Sequence, residues 1–100
     1  MTIRLDPEDA EISTLFRLAG DMRGKAVLEV GCGDGRLTWR YGHRPALLHA
    51  LDPKTEKIAA AKRALPPQWY GRVKFFATDL HTFHPNPPQL YDLAILAWSL

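Results

Sequence analysis

Three glycines at alternate positions, Gly31, Gly33 and Gly35, form the part of this sequence best suited to hold a ligand. The mostly apolar run 27–30 precedes them and is typical of a buried strand, whereas residues 36–41 carry the apolar spacing of a helix. Glycine tolerates positive φ and lets the backbone approach a bound molecule closely. A strand that passes through a glycine loop into a helix commonly binds a polar or anionic ligand in α/β proteins. The stretch therefore predicts a ligand-binding loop.

The residues beside this loop narrow the choice of ligand. A dinucleotide-binding loop would carry a further glycine or alanine at position 36, where this sequence has Arg36. Glu29 lies inside the apolar strand, and a carboxylate is costly to bury unless it is paired or hydrogen-bonded. Glu29 is either a structural acceptor for the loop amides or a group that helps to fix the loop and the ammonium group of a ligand. Arg36 disfavours a nicotinamide dehydrogenase, and both roles of Glu29 stay open.

Two aspartates follow the ends of other predicted strands. Asp52 suits the two hydroxyls of a ribose or the N-cap of the next helix, and we favour the ribose. Asp79 suits the exocyclic amine of an adenine, with the Leu80 amide facing a ring nitrogen, or else it is an exposed turn residue. Because all three acidic positions occur together with the glycine loop, we favour the adenine role for Asp79. The combination indicates a ligand that contains adenosine.

Other residues with reactive side chains are better explained by structure. Cys32 stands between glycines, where a small side chain is needed, and no activating base is indicated for it. His81 and His84 have the spacing of metal ligands, but a metal site needs three or four ligands and no second cluster is present in the sequence. We therefore predict no metal site and name no catalytic residue.

Composition describes one ordinary soluble domain over residues 1–100. The 100 residues are 46% hydrophobic and 24% charged, with a formal net charge of +2. The basic residues are dispersed, so we expect no clear nucleic-acid surface. A single cysteine fits a reducing compartment, and the N-terminus lacks the apolar core of a signal peptide. The longest apolar run is too short to span a bilayer. We expect a cytoplasmic protein without a membrane segment.

Apolar periodicity and breaker residues predict an α/β fold with a parallel sheet. Helices are predicted from about Asp6 to Gly20, from about Arg36 to Tyr41 and from about Lys54 to Leu65. Strands are predicted at Ala26–Val30, Ala46–Leu51, Val73–Ala77 and Tyr91–Trp98, with irregular chain at His81–Gln89. Right-handed crossovers put the helices mainly on one face. We expect the other face and the outer edge of the fourth strand to be poorly covered, which leaves a surface for association with another molecule and suggests the N-terminal part of a longer protein.

The chain resembles the N-terminal half of a Rossmann-like, class I S-adenosylmethionine-dependent methyltransferase. The matching motifs are VLEVGCGDG, the acidic end of ALLHALD, FFATDL and YDLAILAWSL, which together extend from Val27 to Leu100. The resemblance implies a sheet whose first four strands have the order 3-2-1-4. It also implies a truncated fold, because the family sheet has seven strands and three have no counterpart here.

In this family the glycine loop packs on the methionine part of the cofactor, the second-strand acid binds ribose, and the third-strand acid or its neighbour binds adenine. Residues just past the fourth strand face the methionine and the sulfonium. The cofactor-binding residues that the resemblance implies are Glu29, Gly31, Cys32, Gly33, Gly35, Asp52, Asp79, Leu80, Ala97 and Trp98.

The implied reaction is methyl transfer from S-adenosylmethionine to an unidentified acceptor, with S-adenosylhomocysteine as the product. We expect a small-molecule acceptor rather than a macromolecule. The main alternative is a non-catalytic module that binds S-adenosylmethionine or a partner protein. Aminopropyl transfer from a decarboxylated cofactor and a nicotinamide-dependent dehydrogenase are further alternatives.

Overall fold

The computed structural model describes residues 1–5, 12–85 and 87–97. Its strands are β1 (Thr2–Leu5), β2 (Ala26–Val30), β3 (Leu47–Asp52), β4 (Val73–Ala77) and β5 (Leu93–Ala97). Its helices are α1 (Ile12–Ala19), α2 (Thr38–Tyr41) and α3 (Thr55–Ala64), with a 3-10 turn at Pro67–Trp69. The predicted helix start at Asp6 lies outside the described residues. The predicted end of that helix is confirmed, since Gly20 has a φ of +70° and its amide donates to the Phe16 carbonyl at 3.0 Å.

The five strands form one parallel sheet in the order β1-β5-β2-β3-β4. Its last four strands, read from the β4 edge, have the predicted order 3-2-1-4. The expectation of an open outer edge beside the fourth predicted strand is wrong, because β1 pairs there in parallel with β5, with Ile3 opposite Ile95. The Ala94 amide donates to the Met1 carbonyl at 2.8 Å. Sequence reasoning missed this strand because it has only four residues and ends where Asp6-Pro7 signals a helix start.

One face of the sheet packs against all three helices. Alternate residues of a strand point to the same face, so this core takes every second strand residue. It contains Ile3, Val27, Leu48, Ala50, Val73, Phe75, Leu93 and Ile95 from the sheet and Leu15, Ala19, Tyr41, Ile58 and Ala61 from the helices. Each large aliphatic side chain fully buried here contributes about 1.5–3 kcal/mol to stability. The predicted placement of the helices on one face is confirmed.

The opposite face is covered in part by the irregular segment between β4 and β5. His49 of β3 lies among the rings of Phe76, Phe83 and Tyr91, with ring centroids 5.2, 6.1 and 5.6 Å away. Leu51 on the same strand is fully buried. The expectation of poor cover is therefore wrong for the β3–β4 side, because aromatic side chains replace a helix. On the β5 side, Ala94 and Leu96 are half-buried.

Candidate functional site

The carboxyl ends of three neighbouring strands meet at the glycine loop. The Gly31 amide, at the end of β2, donates to the carbonyl of Leu51 in β3 at 2.8 Å. On the other side, a Cβ atom at Gly31 would collide with the carbonyl oxygen of Ala97, the last residue of β5. The loop is therefore wedged between β3 and β5. This is the position where ligands bind in open α/β sheets.

The backbone amides of the loop are largely used within the protein. Gly31, Gly33 and Gly35 have φ values of +84°, +57° and +94°, which glycine adopts without strain. The Cys32 amide donates to the Leu51 carbonyl at 3.0 Å, and the Gly35 amide donates to the Cys32 carbonyl at 3.0 Å. The Gly33 amide donates to Asp52 Oδ2 at 2.9 Å. A loop that binds pyrophosphate needs such amides free, so this geometry disfavours a dinucleotide, in agreement with Arg36.

Asp52 ties the loop to the start of α3. Its Oδ2 accepts from Gly33, its Oδ1 accepts from the Lys54 amide at 2.9 Å, and the residue is 4% exposed. The N-cap alternative is wrong in position, because the helix N-cap is Lys54 and Asp52 lies two residues earlier. A carboxylate has about four acceptor positions, so the two amide contacts leave capacity for ligand hydroxyls. Asp52 is thus both a structural acceptor and a group compatible with ribose.

Glu29 is held beneath α2 and is fully buried. Its Oε1 accepts from the Thr38 hydroxyl at 2.7 Å and from the Tyr41 hydroxyl at 2.6 Å. Its Oε2 is sealed from solvent and has no hydrogen-bond partner among the described residues. Burial raises the pKa of the carboxyl, and the two hydroxyl hydrogen bonds oppose that rise. Glu29 is a structural acceptor, but its donors in the described residues are the hydroxyls of Thr38 and Tyr41 and not the loop amides that we expected.

Sequence reasoning missed these two donors. Thr38 and Tyr41 are three residues apart, which places them on one side of a helix. Both are fully buried, and burial together with the neighbouring Glu29 raises the pKa of Tyr41 well above its usual value. Two hydroxyls on one helix face, just after a strand that contains a carboxylate, are the signal that would have identified them.

Asp79 lies at the end of β4, next to the strand that carries Asp52. Ala77 is opposite Asp52 in the register, and Asp79 follows two residues later. The Asp79 carboxylate is exposed and accepts from the Thr82 amide at 2.8 Å, and hydrogen bonds from Thr82 lower its pKa. Leu80 is 47% exposed. Asp79 thus makes the contacts of a turn aspartate, while both residues remain accessible to a ligand at this edge.

The remaining predicted residues differ in their surroundings. Cys32 is 5% exposed, its Sγ donates to the Gly33 carbonyl at 3.5 Å, and burial followed by the Glu29 and Asp52 charges raises its pKa. It is therefore kept as a thiol, which does not act as a nucleophile. Ala97 ends β5 beside Gly31, and Trp98 lies outside the described residues.

Three further findings concern the described residues. Within residues 1–5, 12–85 and 87–97, no group of three or more His, Cys, Asp or Glu side chains is arranged to hold a metal ion. None of the helices in those ranges has the length and apolar character needed to cross a membrane. Asp92 has a structural role, because its Oδ2 accepts from the Ala26 amide at 2.8 Å and joins β5 to β2.

A family model described as a methyltransferase domain matches residues 27–100, which is most of the chain. The chain belongs to this family. It is 34% identical over 79 residues to magnesium-protoporphyrin O-methyltransferase of Rhodobacter capsulatus, an alignment that covers 79% of this chain and 35% of that protein. It is 30% identical to a tRNA1(Val) (adenine(37)-N6)-methyltransferase of Yersinia pestis, with 74% of this chain and 32% of that protein covered.

The fold is also that of a solved S-adenosylmethionine dependent methyltransferase from Mesorhizobium loti. The two have a TM-score of 0.68 and 26% sequence identity, and the match covers 89% of this chain and 40% of that one. The predicted Rossmann-like methyltransferase fold is confirmed. The chain spans only about a third of the length of the curated relatives it matches.

Proposed function

We propose that this chain forms the S-adenosylmethionine-binding part of a methyltransferase. The observation that carries the proposal is Glu29, a fully buried carboxylate whose Oε2 has no partner in the described part of the chain. An unpaired buried carboxylate is stabilised in its charged form by a nearby cation. S-adenosylmethionine offers an ammonium group and a positively charged sulfonium, so the charge of the site and that of the cofactor are complementary.

The glycine loop also fits this cofactor. The backbone amides of Gly31, Cys32, Gly33 and Gly35 donate hydrogen bonds to acceptors within the protein. This suits a ligand whose methionine part carries no phosphate. A Cβ atom at Gly33 would meet no atom within 4 Å, so the loop has an open side at this residue. Gly31 and Gly35 have no such space, because their Cβ atoms would collide with Ala97 and with the Trp39 ring. The loop is thus closed towards the protein and accessible at its middle.

We assign each predicted residue one role towards the cofactor. Glu29 and the loop residues Gly31, Cys32, Gly33 and Gly35 hold the methionine part, Cys32 through its backbone. Asp52 accepts the ribose hydroxyls, and Asp79 with Leu80 contacts the adenine. Ala97 and Trp98 face the methionine and the sulfonium. The assignments of the described residues rest on the strand-end geometry and on the family to which the chain belongs, and that of Trp98 rests on the family alone.

When bound, S-adenosylmethionine supplies a methyl group on a sulfonium that is already activated for transfer. The residues of this chain therefore need to position the ligand and to exclude water, without forming a covalent intermediate. Glu29 and Asp52 are suited to this task because their hydrogen bonds fix them before a ligand arrives. The raised pKa of Cys32 keeps that thiol out of the chemistry. We assign no general base among the described residues.

For the acceptor we propose a small molecule. The relative from Rhodobacter capsulatus is named for a protoporphyrin, and the chain is more similar to it than to the tRNA methyltransferase. The net charge of +2 and the dispersal of the basic residues along the sequence do not indicate a polynucleotide as the acceptor. We further propose that the protein acts in the cytoplasm, because its single cysteine is a buried free thiol.

Calorimetric titration tests the cofactor assignment. We expect saturable binding of S-adenosylmethionine and S-adenosylhomocysteine and no binding of NAD. Binding of NAD alone would contradict the proposal and favour a dehydrogenase. The principal alternative is a non-catalytic module that binds S-adenosylmethionine. Cofactor binding by the full-length protein without methyl transfer to any acceptor would support that alternative.

A further inference from the structure

A cavity lies along β4 and reaches the end of that strand, where Thr78 and Thr82 of its wall flank Asp79 and Leu80. It has a volume of about 530 Å³ and is lined from β3, β4, α3 and the segment after β4. None of the residues assigned above to the cofactor lines it. Volumes of this size are typical of small-molecule sites. The cavity is therefore a place where a second ligand can bind.

The ionisable side chains that line the cavity can carry only a positive charge, and the Asp79 carboxylate, which accepts from the lining residue Thr82, lies next to its wall. Lys62 of α3 and Lys74 of β4 line it, both are exposed, and no aspartate or glutamate is among its described lining residues. His49 and His84 line it as well. The only salt bridge recorded in the described residues joins Arg23 to Asp21, so neither lysine is paired with an acid there. This environment favours an anionic group.

The strand edge supplies backbone N–H donors, in alternation with carbonyl acceptors, in the same wall as these lysines. The Leu48 amide donates to the Arg72 carbonyl at 2.8 Å, which directs Arg72 and every second residue after it towards β3. The backbone N–H groups of Phe75 and Ala77 therefore face the free edge of β4, because hydrogen-bonding direction alternates along a strand. Both residues line the cavity. An oxyanion held between Lys62 and Lys74 has backbone donors within the same wall.

The rest of the wall is aromatic. Phe76 and Phe83 have ring centroids 5.0 Å apart, and both are half-buried and line the cavity. His49 is 7% exposed, and its Nδ1 is 2.6 Å from the Tyr91 hydroxyl. Burial and then the Lys74 charge lower the pKa of His49, so the neutral imidazole is favoured. Where Tyr91 donates to Nδ1, the neutral ring carries its proton on Nε2 and is a further donor.

We propose that this cavity binds a small planar aromatic anion, such as an aryl phosphate. The anionic group lies between Lys62 and Lys74 at the β4 edge, and the ring packs on Phe76 and Phe83. Aromatic pairs contribute beyond their buried area, and charge-assisted hydrogen bonds are about twice as strong as neutral ones. The residues that line this cavity differ from those assigned to the cofactor, so the proposal does not depend on the identity of the cofactor.

Calorimetric titration with 1-naphthyl phosphate tests this site in the wild-type protein and in three variants. We expect saturable binding that weakens about tenfold in Lys74→Met and in Lys62→Met, since each removes one charged partner of the anion. Lys57→Met is the matched control, because Lys57 lies on α3, is exposed and does not line the cavity. All three lysines are exposed, so the substitutions leave the fold intact.

Two further ligands test the role of the negative charge and the independence of this cavity from the cofactor site. Naphthalene-1-methanol, which has the ring without the charge, should bind at least about tenfold more weakly than the phosphate. S-adenosylhomocysteine at saturating concentration should leave the affinity for 1-naphthyl phosphate unchanged. No saturable binding, equal weakening by Lys57→Met, or displacement by S-adenosylhomocysteine would each overturn the proposal. Displacement would instead place the probe in the cofactor site.

Discussion

The two faces of the sheet each bury one titratable side chain against a tyrosine hydroxyl. On the helical face, Glu29 Oε1 accepts from the Tyr41 hydroxyl at 2.6 Å. On the opposite face, His49 Nδ1 lies 2.6 Å from the Tyr91 hydroxyl. Burial disfavours the charged form of each, because it raises the pKa of Glu29 and lowers that of His49. The covers differ, because a helix seals Glu29 completely, whereas a proline-rich segment leaves His49 at the wall of a cavity.

This difference separates the molecule into a rigid side and an adaptable side. The rigid side comprises Glu29, the glycine loop, Asp52 and α2, where the recorded hydrogen bonds are buried or half-buried and the loop is wedged between strands. The adaptable side comprises His49, the 78–91 segment and the β4 edge, where most residues are exposed or half-buried. Preorganisation at the rigid side suits a cofactor that must be positioned accurately.

The largest effect is expected at Gly31. Alanine there must adopt a φ of +84° and would collide with the Ala97 carbonyl, so Gly31→Ala should lower the free energy of unfolding by roughly 3 kcal/mol or more. Gly33→Ala is the control, because its φ is +57° and its Cβ would meet no atom within 4 Å. It should cost only about 1 kcal/mol. Urea unfolding measures both, and equal costs would show that the loop is not wedged against β5.

The next effect compares the two strand-end aspartates. Asp52→Ala removes the acceptor for the Gly33 and Lys54 amides in a buried position, which should cost about 2 kcal/mol of stability. Asp79→Ala removes an exposed turn acceptor and should leave the melting temperature nearly unchanged. Thermal unfolding followed by circular dichroism measures both. A larger loss at Asp79 would contradict the division into a rigid and an adaptable side.

The two tyrosines give the most direct comparison of the faces. Tyr41→Phe leaves the fully buried Glu29 with one hydroxyl donor and should cost about 1.5–2 kcal/mol. Tyr91→Phe removes the partner of His49 Nδ1, and because Tyr91 itself is only half-buried the substitution should cost about 0.5–1 kcal/mol. Both substitutions keep the ring, so chemical denaturation reports the hydroxyl alone. Equal losses of unfolding free energy would show that burial beneath α2 does not raise the cost of removing the hydroxyl.

The smallest effects are expected in the pH dependence of stability. The raised pKa of Glu29 means that its favourable contribution is fully present below its unfolded value of 4.5 and is lost as pH rises through the folded pKa. The lowered pKa of His49 means the reverse: its contribution is present above 6.5 and is lost as pH falls through the folded pKa. The groups facing Glu29 are Thr38, Tyr41 and Cys32, and His49 faces Lys74 and Tyr91.

The wild type should lose stability as pH rises above about 4.5, and Glu29→Gln should not show this loss. His49→Gln should remove a loss that the wild type shows as pH falls below about 6.5. Urea unfolding of the wild type and both variants across this range measures the two differences. Parallel stability curves for a variant and the wild type would show that its substituted group does not titrate between the folded and unfolded states.

Much of this fold could be predicted because its signals are local. Apolar runs between breaker residues predicted β2 to β5 to within two residues, and the apolar spacing of Ile58 and Ala61 predicted the buried face of α3. The strand β1 and the aromatic cover of His49 could not be predicted. Both depend on contacts between residues far apart in the sequence, such as Ile3 with Ile95 and His49 with Tyr91, which no local pattern encodes.

For the candidate site, the positions of the residues could be predicted better than their hydrogen-bond partners. The glycine spacing and the acidic residues at strand ends can be seen in the sequence. The groups that donate hydrogen bonds to those acidic residues cannot. Thr38 and Tyr41 reach Glu29 only because α2 folds back over β2, and Gly33 reaches Asp52 only because β3 pairs with β2. The roles of these residues towards a cofactor remain predictions.

The central claim is that the buried Glu29 carboxylate favours the ammonium group of the cofactor through its charge. Its most direct test is calorimetric titration of the wild type and Glu29→Gln with S-adenosylhomocysteine and with 5′-methylthioadenosine, which has the adenosine without the amino-acid part. We expect Glu29→Gln to weaken S-adenosylhomocysteine about tenfold and to leave 5′-methylthioadenosine unchanged. Unchanged affinity for both ligands, or an equal loss for both, would contradict the assignment of Glu29 to the ammonium group.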